Sequence, residues 1–290
     1  MAYTTIDDPS AHHQTKIYTG NGTDGQAYTF DGNSDMQPDW LWVKNRNNTG
    51  PYSGHIFDSS RGANKSFFPD ADNAEATNSS YGYLGAFQSD GFTVTSGSSG
   101  DERVNNNNDT YVMWGWKANG GTATATGSES GNNPAYSVQA NTTAGFSIVT
   151  YTGTGAAGTV PHGLGAVPNV LLVKVRSAQD PWSVYHSANT SAPETDYLVL
   201  DSSAATADHS NRWNDTAPTS SVFTVEASGT VNLDAGTFVA YCFTEIQGYS
   251  KFGSYEGNGN TNGTFVYTGF SPAWVMVKRT DSGNNWHIHD

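Results

Sequence analysis

Short runs of β-branched and aromatic residues, separated by turns, dominate the hydrophobic pattern of the chain. In the run PDWLWVK at residues 38–44, Trp40 and Trp42 share one face of an extended strand, and apolar residues also occupy the other face, which is typical of a central strand. The run FTVTS at residues 92–96 alternates apolar and polar positions, as a half-solvated strand does. Helical periodicity is nearly absent, and residues 70–76 offer at most a short helical turn. The pattern therefore predicts an all-β protein with almost no helix.

Three segments resemble one another without gaps and divide the chain into repeated units. They read PDWLWVKNR, PNVLLVKVR and PAWVMVKRT, and they begin at Pro38, Pro168 and Pro272. The first two are followed by further similar pairs, DGFTVTSG with SVFTVEASG and TYVMWGWK with TFVAYCFT. The sequence thus predicts an N-terminal arm (residues 1–15), a first β unit (16–119), a linker (120–144), a second β unit (145–250) and the start of an incomplete third unit (251–290).

The size and spacing of the strands indicate the architecture of each complete unit. Roughly 100 residues of short strands with Gly, Asn and Ser in the turns between them are typical of a two-layer β-sandwich. We therefore expect tandem β-sandwich units of the jelly-roll kind. Closed β-barrels remain an alternative that the pattern does not separate from sandwiches.

The charge balance excludes one class of function. The chain has 13 Lys and Arg residues against 27 Asp and Glu, a formal net charge of −14, whereas a protein that neutralises phosphates needs a basic stripe. We therefore expect no nucleic-acid partner. Eight Trp, 15 Tyr and 13 Phe residues supply large side chains to bury, so the chain is expected to fold.

Sequence signals for membranes and for secretion are also lacking. No stretch approaches the roughly 18 apolar residues of a membrane helix, and the first residues have neither a basic nor an apolar signal-peptide region. The single cysteine, Cys242, excludes an intrachain disulfide and a multi-cysteine metal site. We expect a protein without membrane insertion that is stabilised by packing.

No catalytic motif stands out in the sequence. The chain has no G-x-S-x-G and no phosphate-binding loop. Glycoside hydrolysis needs two opposed carboxylates, and candidates such as Asp58, Glu102, Glu194 and Glu226 lie in no recognisable setting. We predict no enzymatic activity and no cofactor.

Two segments weakly resemble metal sites. His287 and His289 would face the same side of a strand, and residues 31–35 (DGNSD) resemble the start of a calcium loop. Met36 and Trp42 occupy the positions at which an EF-hand needs Gly and Glu. A polar strand end and a turn explain both segments, so no metal site is predicted.

The tryptophans are the best candidates for contact with a ligand, because an exposed Trp beside Asn and Asp can stack on a sugar. Four of the eight recur at strand positions that are apolar in other units and are expected in the core: Trp40, Trp42, Trp114 and Trp274. Trp182, in DPWS, and Trp213, in NRWND, lie in polar segments. We predict Trp182 and Trp213 as possible glycan contacts.

One lysine recurs in all three repeated segments, as Lys44, Lys174 and Lys278. Each follows the apolar run of the central strand. A lysine at this position could pair with a carboxylate across units. The default expectation is that the aliphatic stem packs along the strand and the ammonium group reaches water.

The sequence as a whole resembles a known family. The motifs DDPSAHHQTKIYTGNG, PDWLWVKNR, HIFDSSRGANK, TAGFSIVTYTGTG, PHGLG and AYCFTEIQGYSKFGSYEGNG are similar to those of repeated-domain virion structural, tail-fibre-like proteins of tailed phages, especially marine and cyanobacterial ones. The resemblance implies a virion structural protein, a tail-fibre or appendage component for host-surface attachment without catalysis. The alternative is a capsid decoration or fibre-shaft protein with only structural contacts.

The same resemblance implies partners and location. We expect contacts with other virion proteins through the N-terminal arm, residues 1–15, and a homotrimer by analogy with phage fibres. Host cell-surface polysaccharide is a further possible partner. The protein is expected to assemble in the host cytoplasm and to be exposed on the particle surface. A chain without disulfides fits assembly in a reducing compartment.

Overall fold

The structure is a computed structural model that describes residues 3–47, 54–100 and 103–290. These residues form antiparallel sheets and a single four-residue α-helix, which confirms the predicted all-β, sandwich-type fold. No helix in the described part of the chain has the length and apolar character needed to cross a bilayer.

The described residues of the first unit form nine strands after a 3₁₀ turn at Pro9–Ala11. They are β1 (His13–Thr19), β2 (Gln26–Tyr28), β3 (Trp40–Asn45), β4 (His55–Asp58), β5 (Lys65–Ser66), β6 (Ala76–Thr77), β7 (Tyr83–Phe87), β8 (Phe92–Thr95) and β9 (Thr110–Trp116). A four-stranded sheet in the order β1-β9-β3-β4 packs on a three-stranded sheet in the order β2-β8-β7. Leu41, Val43 and Phe92 lie in the apolar core between the two sheets.

The second unit has the same arrangement with additional edge strands. Its elements are β10 (Ala125–Gly127), β11 (Ala135–Asn141), β12 (Phe146–Thr152), β13 (Gly158–Pro161), β14 (Val170–Val175), β15 (Ser183–His186), β16 (Asp196–Val199), β17 (Ala207–Asp208), β18 (Val222–Val225), α1 (Gly229–Asn232) and β19 (Thr237–Phe243). The order of the eight-stranded sheet is β10-β11-β12-β19-β14-β15-β16-β17, so its centre, β12-β19-β14-β15, repeats the order of the first unit. The pair β13-β18 covers its outer face.

The third repeated segment contributes one antiparallel pair, β20 (Val275–Val277) and β21 (His287–His289). Met276 lies opposite Ile288 in this pair, as Trp42 lies opposite Ile56 in β3 and β4. The pair therefore corresponds to β3-β4 of the first unit and to β14-β15 of the second.

The three units share one further core, which explains why both faces of the central strands are apolar. Trp40 and Trp42 point away from the core of their own unit and belong to a cluster shared with the second unit. In that cluster the ring of Trp40 packs against those of Phe146 and Tyr241. Trp274, Met276, Trp286 and Ile288 pack on the same cluster from the third segment. One face of each central sheet thus packs in the interior of its own unit, and the other face packs at the junction between the units.

The prediction that residues 120–144 form a linker is wrong. These residues contain β10 and β11, and β11 pairs along its whole length with β12. The segment is rich in small and polar residues because β10 and β11 lie at the edge of the eight-stranded sheet. Even so, Val138 is fully buried, and the side-chain oxygen of Gln139 accepts hydrogen bonds from the backbone of Asn119 and Gly121.

The prediction of a separate N-terminal arm also needs correction. Residues 13–15 belong to β1, and Ile6 is buried. Gln14 donates to the carbonyls of Ser10 and Ser34, and Ser34 donates to Asp8. The polar residues of this segment therefore find partners within the first unit, and the described residues 3–15 lie against the body of the protein.

Candidate functional site

Two surface depressions of the described residues do not gather catalytic groups. One, of about 340 Å³, is lined by Tyr3, Glu245, Lys251 and Tyr267 among others, and another, of about 250 Å³, lies around Tyr136, Tyr151 and Arg176. The first contains a single carboxylate and the second contains none. Neither has the opposed carboxylates that glycoside hydrolysis requires.

The side chains that could bind a metal ion lie apart in the described part of the chain. Within residues 3–47, 54–100 and 103–290, no three His, Cys, Asp or Glu side chains come together in a way that could hold one. His287 and His289 are exposed on β21, and Asp31 forms an ion pair with Lys16 at 3.1 Å. Glu102 lies outside the described residues. Burial raises the pKa of the Cys242 thiol to about 12, which keeps the thiol protonated and unreactive at neutral pH.

The prediction that Trp182 and Trp213 contact a glycan from surface loops is wrong. Trp182 is 0% exposed and Trp213 is 2% exposed. The Nε1 of Trp213 donates to the carbonyl of Asp196 at 3.0 Å, and its ring packs edge-on against Tyr185. The polar neighbours of Trp213 lie on a turn and Ser183, beside Trp182, begins β15, while both indole rings enter cores that other parts of the chain complete.

Trp182 instead anchors the junction between the first two units. Its ring meets Phe67 of the first unit edge-on, with the ring centres 5.4 Å apart. Its Nε1 donates to the carbonyl of Phe68 at 2.9 Å. Its backbone N–H donates to the Asp201 carboxylate at 2.9 Å. A residue of the second unit is thereby fixed to the β5 region of the first.

Lys174 lies beside this anchor and is also fully buried, so the expectation that it reaches water is wrong. Its Nζ donates to the carbonyl of Asp72 in the first unit at 2.8 Å and to the carbonyl of Asp180 in its own unit. Burial lowers the pKa of Lys174 to about 8, with Asp201 and Asp180 opposing that shift. The ammonium group thus bridges the two backbones across the junction.

The third segment docks on the second unit through the same pair of residue types. The Nε1 of Trp286 donates to the carbonyl of Val199 at 2.9 Å, as Trp182 donates to Phe68. The Nζ of Lys278 donates to the carbonyl of Ser203 at 3.1 Å and to that of Asn284 at 2.5 Å. In both junctions the lysine therefore links a carbonyl of the preceding unit to one of its own.

Two backbone hydrogen bonds are repeated as well. Asp180 N–H donates to Asp72 at 2.9 Å in the first junction, and Asn284 N–H donates to Ser203 at 2.8 Å in the second. A second pair of bonds corresponds in the same way: Glu75 N–H donates to the carbonyl of Arg176 at 3.0 Å, and Thr206 N–H donates to the carbonyl of Thr280 at 2.9 Å. Two successive junctions of the chain thus have the same hydrogen-bond geometry.

A buried ionic network distinguishes the first junction. Arg61 and Asp58, both without exposed side-chain surface, form an ion pair, and the hydroxyl of Tyr241 in the second unit donates to Asp58 at 2.6 Å. Arg61 also contacts Glu75 at 3.1 Å, and Arg176 reaches the same carboxylate at 2.9 Å. The network therefore joins charged groups of both units.

The network also shifts the protonation of its members. Burial alone raises the pKa of Glu75, but hydrogen bonds from Arg176 and the charge of Arg61 outweigh it and lower the pKa below its ordinary value. Burial likewise opposes the charged form of Arg61, but Asp58, Tyr241 and Glu75 together raise its pKa. Glu75 and Arg61 are therefore held ionised in the folded protein at neutral pH.

The third segment also contacts the first unit. The Nε1 of Trp114 donates to the Asp290 carboxylate at 3.0 Å, and the rings of Trp116 and Trp274 meet edge-on with centres 5.4 Å apart. Trp114 and Trp274 thus take part in the shared cluster, as expected for core tryptophans, although Trp274 is only partly buried.

The sequence contains a signal for these junctions, although reasoning from the sequence did not recognise it. Lysine recurs in all three segments, and a tryptophan stands at the same distance from it in the second and third, as PWSVYH and NWHIHD. The acceptors are backbone carbonyls, which leave no mark in a sequence. The part that Lys174 and Trp182 take in docking is therefore visible only in the structure.

Comparison with known proteins gives one result at the level of the whole chain. No curated protein and no solved structure matches it. A family model described as a domain of unknown function, DUF7483, matches residues 8–290 and so spans the repeated units and both junctions. The chain therefore belongs to the DUF7483 family.

Proposed function

We propose that this chain is a non-catalytic structural protein of a phage particle, in which β units dock into a rigid array, as in a capsid decoration or the shaft of a fibre. The observation that carries the proposal is the repetition of the same docking contacts at two successive junctions, through Lys174 with Trp182 and through Lys278 with Trp286. Repeated contacts between neighbouring units are how a protein gains length without a larger single core.

The shared core supports a rigid array over a flexible string of domains. Units joined by small polar interfaces move relative to one another by default, whereas a large apolar interface fixes them. Here Trp40, Phe67 and Trp182 are buried between the units, together with the ion pair of Asp58 and Arg61. A shaft or decoration protein needs this kind of fixed geometry.

The assignment to a phage particle rests on the sequence resemblance, and the choice between its two roles rests on the tryptophans. Attachment to host cells would be supported by a glycan that stacks on Trp182 and Trp213. Both indole rings are buried, so they cannot supply that support. The structural role needs no such exposed aromatic. Host attachment is therefore kept as an outcome of the test.

The experiment compares binding to particles with binding to cells. The purified chain is labelled fluorescently and incubated with phage particles assembled without it and with host cells, alongside an unrelated β protein of similar net charge. We expect saturable binding to particles and none to cells. Cell binding that host polysaccharide competes away would overturn the structural role in favour of attachment, and binding to neither would overturn both.

The expected homotrimer is part of this proposal and has its own test. Phage fibres are commonly trimeric, and the chain is proposed to follow them by analogy. Light scattering on the purified chain at micromolar concentration should give three times the mass of 30.9 kDa. A monomer under these conditions would remove the trimer from the proposal.

A further inference from the structure

A serine of the first unit lies between a buried carboxylate and a buried amide. Ser59 follows β4, and its Oγ donates to the Asp39 carboxylate at 2.7 Å. Gln139, on β11 of the second unit, donates from its Nε2 to the same oxygen at 2.9 Å. Asp39 is fully buried and Gln139 is 1% exposed, so both are shielded from water. A hydroxyl, a carboxylate and an amide carbon are thus brought together where the first two units meet.

Two backbone N–H groups polarise the Gln139 amide. Those of Asn119 and Gly121 donate to its Oε1 at 3.0 and 2.7 Å. Because Oε1 has two donors and Nε2 faces the Ser59 hydroxyl, the network fixes which end of the amide is the oxygen. Two N–H groups at this distance stabilise the negative charge that a carbonyl oxygen gains when a nucleophile attacks its carbon. The Gln139 carbonyl therefore lies in an oxyanion hole.

The same loop holds the carboxylate of Asp39. The N–H groups of Ala118 and Gly120 donate to its Oδ2 at 2.8 and 2.9 Å, which leaves Oδ1 to the Ser59 hydroxyl. Gly120 and Gly121 have φ values of 64° and 78°, which favour glycine. With these values, the successive N–H groups of the loop alternate between the carboxylate and the amide. A carboxylate held 2.7 Å from a hydroxyl is placed to take its proton.

The attacking oxygen and the amide carbon are close to reacting distance. Ser59 Oγ lies 2.9 Å from Gln139 Nε2, and an amide C–N bond is about 1.3 Å long, so Oγ is at most about 4.2 Å from Cδ. Reacting atoms in a productive geometry are about 3–3.5 Å apart. Rotation of the Ser59 side chain closes this gap and brings Oγ from the plane of the amide to its face.

The second unit has the same position without the carboxylate. Asn169 corresponds to Asp39, and Ser187 corresponds to Ser59. The N–H of Ser187 donates to the Asn169 carbonyl at 2.8 Å, as the N–H of Ser59 donates to the Asp39 carbonyl at 2.9 Å. The Asn169 amide, however, donates to Ser187 Oγ at 3.1 Å, so this hydroxyl faces a donor in place of a base. Of the two sites, the first alone has a group that takes the proton of its serine.

We propose that Ser59 and Gln139 react to form an intramolecular ester that cross-links the first two units. Asp39 takes the proton of Ser59 as Oγ attacks Gln139 Cδ, and the N–H groups of Asn119 and Gly121 hold the negative oxygen of the tetrahedral intermediate. The Cδ–Nε2 bond then breaks, and the nitrogen leaves as ammonia with the proton that Asp39 returns. One C–O bond forms and one C–N bond breaks, so the reaction needs no oxidant and no second reactant.

The surroundings of the leaving nitrogen support this direction of reaction. Gln139 Nε2 also donates to Ser60 Oγ at 2.8 Å, and Ser60 is exposed. Ammonia therefore has a path to solvent, whereas the Gln139 carbonyl stays enclosed and the ester is protected from hydrolysis. The reaction happens once in each chain and is not turnover of a substrate. The proposal goes beyond the structural role above and does not depend on the phage assignment.

The test measures the mass of the full chain. The chain is purified, incubated at neutral pH until its mass stops changing, then unfolded and digested with trypsin. We expect an intact mass that is lower than the mass of the sequence by one ammonia, and a tryptic product in which residues 47–61 are joined to residues 118–174. Hydroxylamine, which cleaves esters, should separate the two peptides. A sample kept unfolded in urea throughout should not form the cross-link.

Three variants separate the reaction from packing. Ser59→Ala and Asp39→Asn should each keep the full mass of their own sequence, and Asp39→Asn gives the first unit the amide that the second has at Asn169. Ser187→Ala is the matched control, since it removes the corresponding serine of the second unit and should cross-link as the native chain does. Tryptophan fluorescence establishes that each variant is folded.

Three results would overturn the proposal. The first is a folded native chain that retains the full mass of its sequence, and this result decides the matter whether or not the variants fold. The second is a loss of ammonia that does not join the two tryptic peptides. The third is an Asp39→Asn variant that cross-links as fast as the native chain.

Discussion

The junction of the first two units and the junction of the second unit with the third segment share their docking geometry but differ in charge. In the first, Glu75 and Arg176 form an ion pair, and at the corresponding positions of the second stand Thr206 and Thr280. The backbone hydrogen bond between the two positions is present in both. The second junction therefore forms with the lysine, the tryptophan, the backbone hydrogen bonds and the shared apolar cluster but without this ion pair, so the ionic network is an addition to the first junction.

The largest expected effect comes from breaking the buried ion pair of the first junction. Asp58→Ala leaves the Arg61 guanidinium buried with its main partner removed, which costs about 3–5 kcal/mol of unfolding free energy. Urea denaturation followed by tryptophan fluorescence measures the loss. Asp281→Ala is the matched control, because its pair with Arg279 is exposed and screened by water, so its loss should leave the unfolding free energy almost unchanged. Equal losses of unfolding free energy in the two variants would contradict the prediction that the buried pair stabilises the fold more than the exposed pair.

Replacing the docking lysine should have a smaller effect, and it should differ between the junctions. Lys174→Met keeps the length of the side chain but removes the lysine donor from the Asp180 carbonyl and one of the two donors from the Asp72 carbonyl, at a cost of about 1–3 kcal/mol. Lys278→Met should cost less, since Lys278 is more exposed. Both are measured by urea denaturation. A larger loss at Lys278 than at Lys174 would contradict the expected order.

Removing the indole N–H tests the anchors at a smaller scale. Trp182→Phe keeps an aromatic ring but loses the hydrogen bond to Phe68, and the unfolding free energy should fall by about 1–2 kcal/mol. Trp286→Phe loses the equivalent bond to Val199 from a partly buried ring and should cost less. Amide exchange of Asp180 and Asn284 reports each junction separately. If either substitution loosens both junctions equally, the two anchors do not act locally.

The smallest expected effect is a difference in acid stability. Because the pKa of Glu75 is lower in the folded than in the unfolded protein, its contribution is present above the unfolded value of about 4.5 and is lost as the pH falls through the folded value. The stability difference between the native chain and Glu75→Gln should therefore shrink from pH 6 to pH 3. Thr206 gives the second junction no such dependence. A constant difference over this range would contradict the prediction.

The sequence predicted those parts of the fold that depend on local pattern. Alternation and turn residues are properties of a few neighbouring positions, so the strands around Trp40, Phe92 and Val170 and the repetition of units could be predicted without a partner. The two apolar faces of the PDWLWVK run also indicated a strand covered on both sides, and the shared core is what covers the second face.

What the sequence did not predict depends on contacts between distant segments. Trp182 and Trp213 have polar neighbours, and only the position of the first unit and of β16 shows that their rings are enclosed. Lys174 is the same residue type at the same repeat position as Lys44 and Lys278. Its burial depends on the residues 72–75 loop, which packs over it from another unit.

The acceptors in the docking contacts have a consequence for how such arrays can diversify. The lysine and tryptophan of an incoming unit bind main-chain oxygens, those of Phe68 and Asp72 in one case and of Val199 and Ser203 in the other. Every amino acid offers that oxygen, so the receiving surface can change its side chains without losing its neighbour. Units of unlike sequence could then be joined in one chain, each free to drift or be exchanged, so long as the incoming lysine and tryptophan are kept.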